Sequence, residues 1–195
     1  MSAPVTWQAV ATARQDGNEL TRSPYAYREV GSTRGPLPAG YRIVRREAVV
    51  GLGRSAFEVA AHRLLTWQVH RDAGLLVVAD SDRVQPDADV RLGLRLGPLR
   101  IVAPCRVVYV INDEDQAGFA YGTLTGHPER GESLFELALD ADGQVRFRVV
   151  SFSAPATWWS HAGGPLTRRV QDRVTDRYVR AAAAGPVDEE GAASR

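Results

Sequence analysis

The chain has 195 residues, 44% of them hydrophobic and 24% charged, and its 24 basic side chains nearly balance 23 acidic ones. That composition reads as one soluble globular domain able to bury a core without disulfides or metals, and the net charge of +1 gives no general attraction to nucleic acid or an anionic membrane. Every basic residue is arginine, which excludes Schiff-base chemistry, pyridoxal phosphate anchoring and a P-loop lysine.

Residues 1–22 are polar and irregular apart from a short helix expected near Thr6–Arg14, and are read as a flexible segment. They lack the charged flank and apolar centre of a signal peptide, and no apolar run is long enough to cross a bilayer, so a cytoplasmic location is expected. Gly31–Gly40 (GSTRGPLPAG) is dense in turn residues. A first strand is expected over Tyr41–Val50, ended by Gly51 and Gly53. Ser55 and Glu58 have capping-box spacing for a helix from Ala56 to about Asp72, with Phe57, Ala60, Ala61, Leu64 and Leu65 on its core face, Trp67 beside them and Gly74 at its end.

From Leu75 to Phe152 the period becomes two. Val90, Leu92, Leu94 and Leu96 alternate with Arg91, Gly93 and Arg95, and Val145, Phe147 and Val149 alternate with Arg146 and Arg148. Leu99–Ile111 is apolar on both faces, as a central strand would be, and it carries the lone Cys105 as a buried structural thiol. Asn112–Gly118 and Asp140–Gly143 supply antiparallel turns. A last helix is expected from Pro165 to Ala184. Leu166, Val170, Val174 and Tyr178 form its buried row, Arg168, Arg169, Arg173, Arg177 and Arg180 a solvated face, and Asp176 with Arg180 an i,i+4 pair.

This order is α+β: a curved antiparallel sheet packed on a long C-terminal helix, compatible with a START-like or Bet v 1-like helix-grip domain, with a ferredoxin-like sandwich as the alternative. One domain over residues 23–184 is expected, followed by a disordered tail over 185–195.

The segments YAYREVGSTRGPLPAGY (Tyr25–Tyr41), APCRVVYV (Ala103–Val110), GFAYGTLTGHPERGESLF (Gly118–Phe135), FSAPATWW and GGPLTRRVQDRVTDRYVRA resemble the DUF1990, or UPF0548, family. The resemblance covers nearly all of Tyr25–Ala183. It implies one intact domain of a family found in bacteria, notably actinobacteria, and in plants, and it supplies no catalytic residue or cofactor.

Thr125–Gly131 reads as a rigid hairpin loop between strands Phe119–Leu124 and Glu132–Leu139. His127 beside Glu129 could act as general acid or base, the carboxylate fixing its tautomer or raising its pKa; the plainer reading is a loop pinned by salt links among Glu129, Arg130 and Glu132. One loop histidine does not make a three-ligand metal site, and no metal is assigned. Tyr109 and Tyr121 on apolar strand faces, with Trp67, could supply the few orienting groups of a small-molecule pocket, or be ordinary core aromatics. Tyr25, Tyr27, Glu29, Thr33 and Arg34 form either a pocket mouth or an N-terminal strap, and Trp158 and Trp159 anchor the connection into the last helix.

The favoured expectation is a domain that binds a small, largely apolar molecule between sheet and helix, with neither nucleic acid nor membrane as partner. His127, Glu129, Arg130 and Glu132 would ring the entrance, while Tyr109, Tyr121, Thr123 and Phe135 contact the ligand. The alternatives are an enzyme using His127 and Glu129 on a small organic metabolite, and a protein-interaction scaffold.

Overall fold

The computed structural model describes residues 22–96, 99–156 and 164–184. The helix expected near Thr6–Arg14, the Trp158–Trp159 anchor and the tail from Gly185 lie outside the described residues. A 3₁₀ turn at Ser32–Arg34 precedes strand β1 (Arg42–Leu52), helix α1 (Gly53–Leu65) and the short helix α2 (Gln68–Asp72). Six strands follow: β2 (Leu76–Ala79), β3 (Asp89–Leu96), β4 (Leu99–Asn112), β5 (Gln116–Thr123), β6 (Glu129–Leu139) and β7 (Gln144–Pro155). Helix α3 (Gly164–Ala183) closes the described chain.

The strands form one seven-stranded antiparallel sheet in the order β1-β7-β6-β5-β4-β3-β2. From β2 to β7 each strand pairs with its sequence neighbour, and β1 completes the sheet by joining β7. This meander, gripping α3 with α1 and α2 beside it, is the helix-grip arrangement and not a ferredoxin-like sandwich.

The period-two pattern sets which strand face meets the helices. Val90 and Leu92 on β3, Phe119 on β5, Phe135 and Leu137 on β6, and Val145, Phe147 and Val149 on β7 join Phe57, Leu64, Leu65, Trp67 and Tyr178 in one core. Burying each large apolar side chain contributes about 1.5–3 kcal/mol. At the far end of α3, the nearly buried Arg63 of α1 donates to the carbonyls of Ala181 (2.9 Å) and Ala184 (2.5 Å) and pairs with Asp72 (2.9 Å). A cation there satisfies carbonyls the helix leaves open and complements its dipole.

Three local expectations are corrected. Helix α1 starts at Gly53 with Leu52 as N-cap and no side-chain cap, so Ser55 and Glu58 form no capping box. The helix does not run on to Asp72 but breaks at Trp67, whose φ of 64° turns the chain while burial of the indole stabilises the break. Asp176 does not pair with the Arg180 side chain: its carboxylate takes Arg46 of β1 at 3.1 Å, while Arg180 reaches the Asp176 carbonyl. With Arg42–Asp172 at 2.9 Å, these links tie α3 to the β1 edge of the sheet. Arg169, Arg173, Arg177 and Arg180 form the exposed face expected of them.

Candidate functional site

Along the helix-facing side of the sheet, side-chain size and polarity change from one end to the other. One row across the pairing is Phe119, Phe135 and Val149, all buried. The next is Tyr121, Ser133, Ser151 and Val44. Beyond it, Ser153 stands opposite Gly131 and Arg42, with Thr123 on the same face of β5. Large apolar side chains fill the space under α1 and α2, but two serines in mid-row cannot fill the space under α3. A cavity of ≈390 Å³ results, walled by Val44, Leu92, Ile101, Phe135 and Val149 from the sheet and by Val170, Val174 and Tyr178 from α3.

Its polar groups cluster at the loop end. His127, Pro128 and Glu129 line the wall there with Thr123, Ser153 and Gln171. The loop is shorter than the sequence suggests, because β6 already begins at Glu129 and the His127 N–H closes a turn on the Leu124 carbonyl at 3.0 Å. Gly131 sits on β6 with φ 148°, and a Cβ there would lie 1.9 Å from the Phe152 carbonyl oxygen, so only glycine allows the strands to pair.

The expected histidine–carboxylate pair is not formed. His127 Nδ1 accepts the backbone N–H of Glu129 at 2.9 Å, which places the ring proton on Nε2, and burial pulls the imidazole down to about 4 rather than up. The Glu129 carboxylate instead receives Gln171 Nε2, which also lies 3.0 Å from Ser153 Oγ. Burial raises the Glu129 carboxyl above its ordinary range, opposed by hydrogen bonds from Ser153 and Gln171 and by the charge of Arg42. Nor do Glu129 and Glu132 share a salt-linked loop, because successive positions on β6 face opposite sides of the sheet.

That alternation separates the remaining expected residues. Tyr121, Thr123, His127, Glu129 and Phe135 meet at the cavity. Tyr109 does not: the pairing shifts between Val107 and Tyr109, and this β-bulge turns the tyrosine to the opposite face, where it packs with Ala120, Leu134 and Val150. Trp67, with 0% exposure, packs its ring 5.0 Å from Phe119 within the core and is not part of the cavity wall. Tyr25, Tyr27 and Arg34 belong to the strap crossing that opposite face, with Arg34 3.9 Å above the Tyr109 ring.

Glu132 borders the cavity, but its carboxylate points into the strap. It receives the Tyr27 hydroxyl (2.7 Å), the Gly31 N–H (2.7 Å) and the Thr33 N–H (3.0 Å), and the Thr33 hydroxyl bonds to it as well. Only 2% exposed, it is the anchor of the strap and not a guard of the entrance. Desolvation, with the Glu132 hydrogen bond, pushes the Tyr27 phenol far above its usual range. Arg130 is exposed, and its charge acts on Glu29 and Tyr41, also away from the cavity.

Sequence reasoning missed Val44, Ser133, Ser151, Ser153, Gln171 and Thr175. The signal was available. On β6 and β7 the inward positions step from Leu137 and Phe135 to Ser133, and from Phe147 and Val149 to Ser151 and Ser153.

Residues 26–181 match the family described as a domain of unknown function, DUF1990. The chain belongs to this family. It is 34% identical over 166 residues to a UPF0548 protein of Deinococcus radiodurans, covering 80% of this chain and 84% of that one. It is 29% identical over 137 residues to a UPF0548 protein of Arabidopsis thaliana, covering 66% and 65%. Among solved structures, this DUF1990 domain resembles a hypothetical protein of Helicobacter pylori (TM-score 0.56, 9% identity, 73% and 86% coverage). It also resembles a norcoclaurine synthase of Thalictrum flavum solved with a transition-state analogue (TM-score 0.50, 9% identity, 75% and 97% coverage). These likenesses show a Bet v 1/START-like helix-grip fold.

Proposed function

We propose that this DUF1990 domain, spanning residues 23–184 and acting in the cytoplasm, binds a small, largely apolar molecule between the sheet and α3. The observation that carries the reading is the ≈390 Å³ cavity in a place where a helix and sheet would otherwise close into core. That volume lies in the range of small-molecule sites, and an apolar wall with a few convergent polar groups is their usual chemistry. Tyr121, Phe135, Val149 and Val174 would contact the ligand body, and Thr123, His127, Glu129 and Gln171 its polar end. The norcoclaurine synthase likeness supports the reading, since that protein was solved in complex with a transition-state analogue on the same fold.

Native mass spectrometry after incubation with a lipid and metabolite extract tests it. A one-to-one adduct should form with the wild-type protein and be lost in Ser151→Leu, whose side chain would occupy the middle of the cavity. An adduct that survives Ser151→Leu, or no adduct from any extract, would contradict the proposal.

A further inference from the structure

The charges around the cavity are unevenly disposed, and this bears on which polar end it accepts. Among the described residues no arginine forms the cavity wall. Arg42, whose charge acts on Glu129 at the polar end, spends one guanidinium nitrogen on Gln171 Oε1 (2.9 Å) and another on Asp172 (2.9 and 3.0 Å). His127, the remaining potential cation there, is held neutral by burial, with its Nδ1 committed to the Glu129 backbone. An anionic head group would therefore enter a partly dehydrated site whose one described arginine charge is already engaged by Gln171 and Asp172.

The acidic group presented at this end is Glu129. A carboxylate offers about four acceptor sites over its two oxygens. Gln171 occupies one through Nε2 and the Ser153 hydroxyl a second, with Ser153 Oγ itself 3.0 Å from that nitrogen, so about half of the capacity is taken. The Gln171 amide is in turn fixed by Arg42, so the relay Arg42–Gln171–Glu129 holds the carboxylate at the wall with acceptor capacity left over. A ligand that brings a donor satisfies that capacity, and a cationic donor also supplies the missing charge.

We propose that the cavity selects amphiphiles whose head group donates a hydrogen bond to Glu129, protonated amines above alcohols, and discriminates against carboxylates. This rests on the cavity being a ligand site. The experiment is a calorimetric titration at pH 7.5 with three probes of one chain length: decylamine, decan-1-ol and decanoate. The wild-type protein should bind decylamine at least tenfold more tightly than decanoate, with decanol between them. In Glu129→Gln, which keeps the side chain's shape, decylamine should weaken to within about threefold of decanol, while decanol itself changes little. Decanoate binding as tightly as decylamine to the wild-type protein overturns the inference while leaving the cavity reading intact, and it needs no variant. An amine preference that persists in a folded Glu129→Gln protein overturns the role of Glu129. Failure of all three probes to bind overturns the cavity reading and the inference together.

Discussion

His70 lies on α2 with 0% exposure, boxed by the rings of Tyr178 (4.7 Å), Phe135 (4.8 Å), Phe119 (5.6 Å) and Tyr121 (5.9 Å). Neither ring nitrogen has a hydrogen-bond partner among the described residues. Burial drives its pKa from 6.5 down to about 3. The unfolded chain therefore takes up a proton near pH 6.5 while the folded protein resists until about pH 3, so stability must fall as pH drops through this window. Between pH 7.5 and pH 5 the loss from His70 alone is roughly 2 kcal/mol. Denaturant unfolding at the two pH values measures it, with His70→Phe as the control, because a phenyl ring suits the aromatic box and cannot titrate. The wild-type protein should lose about 2 kcal/mol more than the variant on acidification. At pH 7.5 the variant should be as stable as the wild type or more so, since two unpartnered polar atoms leave the core. His127 acts in the same direction and Glu129 in the opposite one, but both are common to the two proteins and cancel in the comparison. An equal pH dependence in wild type and His70→Phe would mean that the buried imidazole does not set the acid sensitivity of the fold.

Replacing Glu132 by alanine strips the acceptor from the Tyr27 hydroxyl and two backbone N–H groups; a loss of about 3 kcal/mol is expected, with early proteolytic cleavage between Tyr25 and Gly40. A methyl group at Gly122 would sit 2.1 Å from the Tyr27 hydroxyl oxygen, so Gly122→Ala should destabilise by about 1–3 kcal/mol and expose the same segment, while β4–β5 pairing stays intact by amide exchange. Ser151→Leu should raise the unfolding free energy by about 1 kcal/mol as it fills apolar space, and the gain should accompany loss of ligand binding. Cys105 is buried with its thiol pushed well above the ordinary range, so a thiol reagent should modify it only at the rate of unfolding, checked by following modification across a denaturant series.

The fold was legible where pattern and environment agree. Alternation in Val145–Val149 gave β7 its inner and outer faces, and the Val170–Val174–Tyr178 spacing gave α3 its buried row. Tyr109 was misplaced because alternation counts residues, and the bulge after Val107 adds one without changing composition. Trp67 looked like a continuing helix; its left-handed backbone is a tertiary outcome, stabilised by burial of the indole, which local propensity cannot register. The GHPERGE segment concentrates reactive side chains in sequence, but the sheet sends Glu129 to one side and Glu132 to the other. Only the strap, more than ninety residues away, explains what Glu132 holds. The cavity was hardest to see because it is written as a shortage of side-chain volume at Ser133 and Ser151.

The proposed function places a small molecule between the sheet and α3. A titration of ¹⁵N-labelled protein with decan-1-ol, followed by amide chemical shifts, tests it most directly. Saturable shifts are expected at Thr123, Ser133, Ser151 and Val174, with Thr33 and Tyr109 on the opposite face undisturbed. Shifts that do not saturate, or that gather on the strap, would contradict it.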